Sequence, residues 1–192
     1  LLYGDWEVSE GGEIYRPREW VTVENERLVD GRLSGPKVRR VRHWDLAASE
    51  PTSSNPDPDY TAGLLLAHDR ASRRFRIEHV ERFRKTPGST KDRIATVAAR
   101  DGDAVLQHFE IEPGASGKLA YDETVGRLTE LGIRVGGKRP TGSKEVRAVV
   151  SATAMENGRI SVVSGEWTET LFDELEQFGT TGVHDDQVDA LS

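Results

Sequence analysis

The last twelve residues, Thr181-Gly182-Val183-His184-Asp185-Asp186-Gln187-Val188-Asp189-Ala190-Leu191-Ser192, carry three aspartates within five positions. If Val188 and Leu191 mark the buried side of a helix beginning near His184, Asp189 shares a face with Asp185 at i, i+4 and with Asp186 at i, i+3. From Gly165 onward there are eight acidic residues and no Lys or Arg, so no basic residue close in sequence answers that charge. The positive end of a helix offsets a fraction of it, and a divalent metal ion is suited to the remainder. The plain structural alternative has Asp185 capping the helix and the other two aspartates in solvent. Two further acids, Asp45 and Glu112, shift the balance because of where the elements place them.

Residues 38–47 alternate basic and apolar side chains and end in His43-Trp44-Asp45-Leu46-Ala47, a strand pattern that leaves Asp45 near its C-terminal end. A loop rich in Ser, Pro and Asp follows, then strands over 60–68 and 74–82, giving a three-stranded meander. An antiparallel hairpin of the first two strands brings Asp59 near Asp45. Residues 89–100 read as a helix capped by Ser89, with Ile94, Val97 and Ala98 inward. Residues 104–112 read as a strand with Phe109 and Ile111 on one side, Glu110 and Glu112 on the other, and Glu112 at its end before Pro113-Gly114. Helices follow over 116–131, with Leu119, Val125, Leu128 and Leu131 inward, and over 141–156. A short strand at 160–163 precedes an amphipathic helix over 166–178, with Leu171, Phe172, Leu175 and Phe178 inward. With the closing helix the order is βββαβααβαα, an α/β domain with a central mixed sheet. Residues 1–34, interrupted by Gly11-Gly12 and Pro17, read as a linker segment ahead of a domain over 35–192.

With 192 residues, 35% hydrophobic and 31% charged, the chain can bury a sizeable core, and no run has the length of a membrane span. It has no cysteine, which leaves oxygen and imidazole as metal ligands and favours magnesium, manganese or calcium. The net charge is −7, yet the basic residues are segregated. One cluster is Lys37, Arg39, Arg40 and Arg42, a second runs from Arg70 to Arg93, and a third holds Arg134, Lys138, Arg139, Lys144 and Arg147. An acidic site flanked by basic segments suits a polyanion held beside metal ions.

If the strands ending at Asp45 and Glu112 are parallel neighbours, both carboxylates emerge at one sheet edge, where the last helix can add a third. Three such acids can hold two divalent ions about 3.5–4 Å apart, one activating water and the other stabilising the leaving oxygen of a phosphodiester. His184 is read as a capping or hydrogen-bonding residue, with metal ligand or proton donor as its other roles. Gly114-Ala115-Ser116-Gly117-Lys118-Leu119 has two residues between its glycines where a phosphate loop needs four, and Leu after the Lys where Ser or Thr is needed. Lys118 is thereby left as a DNA-phosphate contact or a solvated lysine. The tryptophans read as packing residues.

These motifs carry a resemblance. Trp44-Asp45-Leu46-Ala47, Asp59-Tyr60-Thr61-Ala62, Glu112-Pro113-Gly114 with Gly117-Lys118, Gly142-Ser143-Lys144-Glu145 with Arg147, and the stretch from His184 to Ser192 together resemble the C-terminal nuclease domain of the large subunit of tailed-phage terminases. That resemblance implies a ribonuclease H-like fold, in which a three-stranded antiparallel meander and parallel strands form a mixed sheet flanked by helices. It also implies a metal-dependent endonuclease that cuts concatemeric double-stranded viral DNA during packaging with little sequence preference. The catalytic acids would be Asp45, Glu112 and Asp186. Asp185 would cap the helix or add a ligand, Asp59 and Asp189 would assist, and two magnesium or manganese ions would be held. Lys118, Lys138, Arg139, Lys144 and Arg147 would contact DNA. The implied partners are the portal protein, the small terminase subunit and an ATPase domain of the same chain, in the host cytoplasm at the procapsid portal, with no membrane and no place in the mature virion. A resolvase-like junction nuclease, or a silent module that binds DNA or docks the motor, are the other readings.

Overall fold

The computed structural model describes residues 14–25, 37–47, 49–111 and 115–191. Its frame is a seven-stranded mixed sheet in the order β1-β7-β4-β3-β2-β5-β6. The strands are β1 (Thr22–Glu24), β2 (Val38–Asp45), β3 (Thr61–Asp69), β4 (Arg74–Phe83), β5 (Val105–Glu110), β6 (Val135–Lys138) and β7 (Ile160–Val163). Strands β2, β3 and β4 form the expected antiparallel meander, and β5 lies parallel to β2. Strand β6 continues parallel to β5, and β7 and β1 extend the opposite edge in parallel. Helices α1 (Pro17–Trp20), α2 (Pro87–Asp101), α3 (Ala115–Glu130), α4 (Lys144–Glu156), α5 (Thr168–Glu176) and α6 (Asp186–Leu191) cover it. From residue 37 onward the element order is the one read from the sequence with one addition, the strand β6 between α3 and α4.

Side chains alternate across a strand, and β2 uses both of its faces. Trp44 packs with Phe109, Ile94, Val97 and Leu128 in one core, against α2 and α3. A second core on the other face joins Leu64, Ile77 and Val162 to Met155, Leu171, Leu175 and Val188 of α4, α5 and α6. Since Trp44 points to the first layer, Asp45 points to the second. Trp44 also needs Gly63 beside it, because a Cβ there would lie 2.3 Å from the indole ring. Behind Trp44, Arg42 is fully buried and forms a bidentate pair with Asp101 at 2.6 and 2.8 Å, while also donating to the Gly63 carbonyl at 2.8 Å. Gln107 donates to Asp101 and accepts from the Trp44 indole, closing the network.

Several expectations are corrected. Residues 1–34 are not linker throughout, because β1 belongs to the sheet and Tyr15 is buried with its hydroxyl 2.6 Å from Ser151 Oγ. Pro17 opens a helical turn there, as a residue without an amide donor can at a first helical position. Thr86, not Ser89, caps α2, with its hydroxyl accepting from the Ser89 amide and Pro87 at the first turn. On α3, Thr124 and Leu128 are buried, whereas Leu119 and Leu131 are more than half exposed. The apolar count had rotated that helix. Arg40 and Arg42 are not a polyanion patch either, since they pair with Glu78 and Asp101 inside the sheet. Much of the second basic run is likewise engaged, with Arg93 and Arg100 on Glu81, Arg82 on Glu174 and Arg84 on Asp57.

Candidate metal and nuclease site

The register pairs Trp44 with Phe109 on parallel neighbours, so the next residues, Asp45 and Glu110, end their strands side by side. The antiparallel pairing of Asp45 with Ala62 sets the start of β3 against the same edge, and with it the loop carrying Asp59. Helix α6 crosses β2 and β3 at this point, its Val188 and Ala190 buried in the second core. The result is a cavity of about 560 Å³ whose lining includes Asp45, Asp59, Glu110, Asp185, Asp186 and Asp189. The parallel neighbours β2 and β5 expected from the sequence are present, with Asp45 and Glu110 at their ends.

Glu112 lies outside the described residues. Glu110, two residues earlier and at the end of β5, reaches the cavity and raises the Asp45 carboxyl by its charge. The sequence reading had set Glu110 below Glu112 because only Glu112 abuts the Pro-Gly turn. Alternation had put both on one face, and that signal was available.

Asp45 is pushed up to about 8, first by burial and then by the charges of Asp189, Asp186 and Glu110, with Lys144 opposing. Burial also raises Asp186 and Asp189. A buried carboxyl that keeps its proton near neutrality, as Asp45 does, is one that a multivalent cation stabilises as an anion.

Asp59, His184 and Asp186 each offer a ligand atom, and these atoms lie within 4.8 Å of one another. Their placement is built from both sides. The Tyr60 amide donates to Asp186 Oδ2 at 3.1 Å, tying α6 to the start of β3. His184 Nδ1 lies 3.4 Å from Asp59 and 3.7 Å from Asp186, while Nε2 lies 2.9 Å from both Asp57 and Arg84. The Tyr60 ring stands edge-on to His184 and carries the Arg82 and Arg84 guanidiniums at 3.5 and 3.6 Å from its centre. So His184 is more than a cap, and its ring is held with Nδ1 toward the acids. Two aspartates and an imidazole fit manganese, magnesium, cobalt or zinc by donor type.

The opposite wall differs. Lys144 Nζ lies 2.8 Å from Asp185 and 2.5 Å from Asp189, and Arg147 reaches Asp189 at 3.4 Å and Glu110 at 3.8 Å. Ser143 caps α4 as expected, its hydroxyl accepting from the Val146 amide. Six of the eight acids of the C-terminal region are thus answered by cations remote in sequence: Arg18 for Glu169, Asp173 and Glu176, Arg82 for Glu174, and Lys144 with Arg147 for Asp185 and Asp189. Lys118, Lys138 and Arg139 are exposed.

A mixed sheet between helix layers, with carboxylates gathered where its central parallel strands end, defines the ribonuclease H-like class. The chain belongs to the terminase RNase H-like domain family, whose model matches residues 42–192. Among solved structures, the large terminase nuclease of thermophilic phage G20c with bound zinc is similar at TM-score 0.61 and 20% identity, covering 93% of this chain and 94% of that one. The phage P22 large terminase nuclease domain follows at TM-score 0.59 and 16% identity, with 95% and 90% covered. The nuclease domain of the bacteriophage SPP1 large terminase, with bound manganese, is similar at TM-score 0.53 and 14% identity, with 90% and 93% covered. At such identities these likenesses speak to the fold. No curated protein sequence matches the chain. Among the described residues no helix is long and apolar enough to cross a membrane.

Proposed function

We propose that this domain is a divalent-metal-dependent endonuclease acting on double-stranded DNA, and that it cuts concatemeric viral DNA as a genome is packaged at the procapsid portal. The observation that carries the reading is the convergence of Asp59, His184 and Asp186 ligand atoms at the cavity that Asp45 and Glu110 border. Asp45, Asp59, Asp186 and His184 would hold one ion. Asp45 with Glu110, and Asp185 and Asp189 beyond them, border the space for a second. Bound there, magnesium or manganese supplies charge stabilisation and an activated water for in-line attack on a phosphodiester. The chain's own part is positional: the Tyr60 amide and the arginine-stacked Tyr60 ring fix Asp186 and His184, and the Arg42–Asp101 network fixes the strand that ends in Asp45. The strand-end acid of β5 is assigned to Glu110 on its place in the cavity, with Glu112 as the competing residue.

Plasmid nicking with manganese or magnesium, absent in EDTA and absent for Asp45→Asn, is the expected result. Undiminished cleavage in excess chelator overturns the reading. Glu110→Gln and Glu112→Gln, run side by side, decide between the two glutamates. Calcium should bind without supporting cleavage, because its larger and looser shell positions water poorly for in-line attack.

A further inference from the structure

The two walls of the cavity do not offer a second ion the same welcome, and the reason is a side chain already bound there. Lys144 Nζ sits between Asp185 Oδ2 at 2.8 Å and Asp189 Oδ2 at 2.5 Å, on the lining of the same cavity as Asp45. An ammonium between two carboxylate oxygens occupies the kind of position a hard divalent ion takes. Arg147 backs it, holding the other Asp189 oxygen and Glu110. We infer that Lys144 is a resident monovalent cation of the site, occupying the second-ion position on the Asp185/Asp189 wall, and that a divalent ion enters there only as the ammonium withdraws. This rests on the cavity being a metal site as proposed above.

The geometry permits that withdrawal. Lys144 is the first residue of α4, its backbone pinned by the Ser143 cap, while its side chain remains about one-third exposed (36%). A lysine stem can swing to solvent with its helix in place, whereas the Arg147 guanidinium is 19% exposed and spans two acids. A divalent ion beside a retained ammonium would meet repulsion at short range, so the two cannot share the wall without loss. On the other wall, His184 Nδ1 and the Asp59 and Asp186 oxygens face one another without Lys144 between them. Ion binding is therefore ordered. The His184 wall fills first, and the Lys144 wall fills only at higher ion concentration, when the divalent ion outcompetes the ammonium. Lys144 is in this sense a positioning residue that keeps the second-ion place closed at low ion concentration.

The test is manganese titration calorimetry on metal-stripped wild type, Lys144→Met and Lys144→Arg. Wild type is expected to show two separated binding events. Lys144→Met should tighten the weaker one roughly tenfold or more and leave the stronger one in place, because only the competing charge is gone. Lys144→Arg should keep the wild-type isotherm. Two events in wild type with an identical Lys144→Met isotherm overturn the Lys144 assignment alone, whereas no manganese binding by wild type overturns the metal-site reading beneath it. A measurement on the unaltered protein covers a variant that fails to fold: amine-reactive labelling of Lys144, located by mass spectrometry, should be slow in chelator and accelerate as the second event saturates. A labelling rate indifferent to manganese overturns the inference.

Discussion

Arg42 and Asp45 stand three residues apart on β2, on opposite faces of the sheet, and their surroundings are opposites. Arg42 meets Asp101 in a buried bidentate pair that Gln107 and the Gly63 carbonyl complete, so every charge there is matched by the protein. Asp45 is buried among Asp186, Asp189 and Glu110, and its carboxyl is pushed up to about 8. A buried charge closed off by its own partner is a structural device, whereas a raised carboxyl crowded by other acids at a cavity, even where Lys144 and Arg147 answer two of those acids, is one that a cation from outside would stabilise. Burial and charge alone do not tell these apart. Partner geometry does.

The sharpest way to break the comparison is to neutralise one acid of the cavity at a time. Asp45→Asn and Asp186→Asn should each lower cleavage by about a thousandfold or more, since a lost ligand forfeits several kcal/mol of transition-state stabilisation. Their metal-free melting temperature should hold or rise, because a crowded like charge has gone. Plasmid nicking beside thermal melts measures both, and wild-type cleavage by Asp45→Asn would sink the assignment.

On the matched face the order reverses. Arg42→Met leaves Asp101 buried without its partner and should cost about 3–5 kcal/mol of stability. Removing both charges in Arg42→Met/Asp101→Asn should restore part of that loss. Urea denaturation gives the figures, and a single variant as stable as wild type would show that the pair contributes no net stability.

A third contrast is in pH. In the folded chain Asp45 keeps its proton up to about 8, whereas in the unfolded chain it releases it near the ordinary aspartate value of 3.8. Between those limits the folded state binds more protons, so raising the pH favours unfolding. Asp186 and Asp189 act in the same direction. Metal-free protein should therefore lose up to roughly 5 kcal/mol between pH 4 and pH 8, and saturating manganese should remove that slope. Metal-free stability that climbs steadily from pH 5 to pH 8 would contradict the raised carboxyl.

Much of this was legible before any coordinates. The strand end at Asp45, the hairpin that brings Asp59 back, and the α5 stripe of Leu171, Phe172, Leu175 and Phe178 follow from period-2 and period-3.6 patterns that a two-layered core enforces, whereas the end of β5 falls at Glu110, two residues before the expected Glu112. What stayed hidden involves partners far apart in sequence. Asp185 and Asp189 looked unanswered because Lys144 and Arg147 arrive from α4 across the fold, and Arg42 looked like surface charge because its partner Asp101 closes a different helix. His184 was read as a cap for the same reason: Tyr60, Arg84 and Asp57, which aim its ring, come from the β2–β3 loop and the end of β4. On α3 the apolar residues were counted without knowing that Thr124 takes a buried place and Leu119 an exposed one.

The smallest effect applies the same distinction to the cations. Lys144 and Arg147 are engaged with carboxylates, whereas Lys138 and Arg139 are exposed at the end of β6, where Lys138 pairs in register with Glu110 at the cavity's edge. Cations at that edge are placed for phosphates of a duplex entering the cavity, and such contacts position DNA without reading its bases. Lys138→Ala and Arg139→Ala, made in an Asp45→Asn background to prevent cleavage, should each weaken binding about equally for unrelated duplexes. Each should also flatten the plot of log affinity against log salt by about one unit. Lys144→Ala in chelator should leave that slope nearly unchanged, because its charge is already spent on Asp185 and Asp189. Fluorescence anisotropy over a salt series decides it: a slope unmoved by Lys138→Ala/Arg139→Ala, or moved a full unit by Lys144→Ala, would reverse which cations face the DNA.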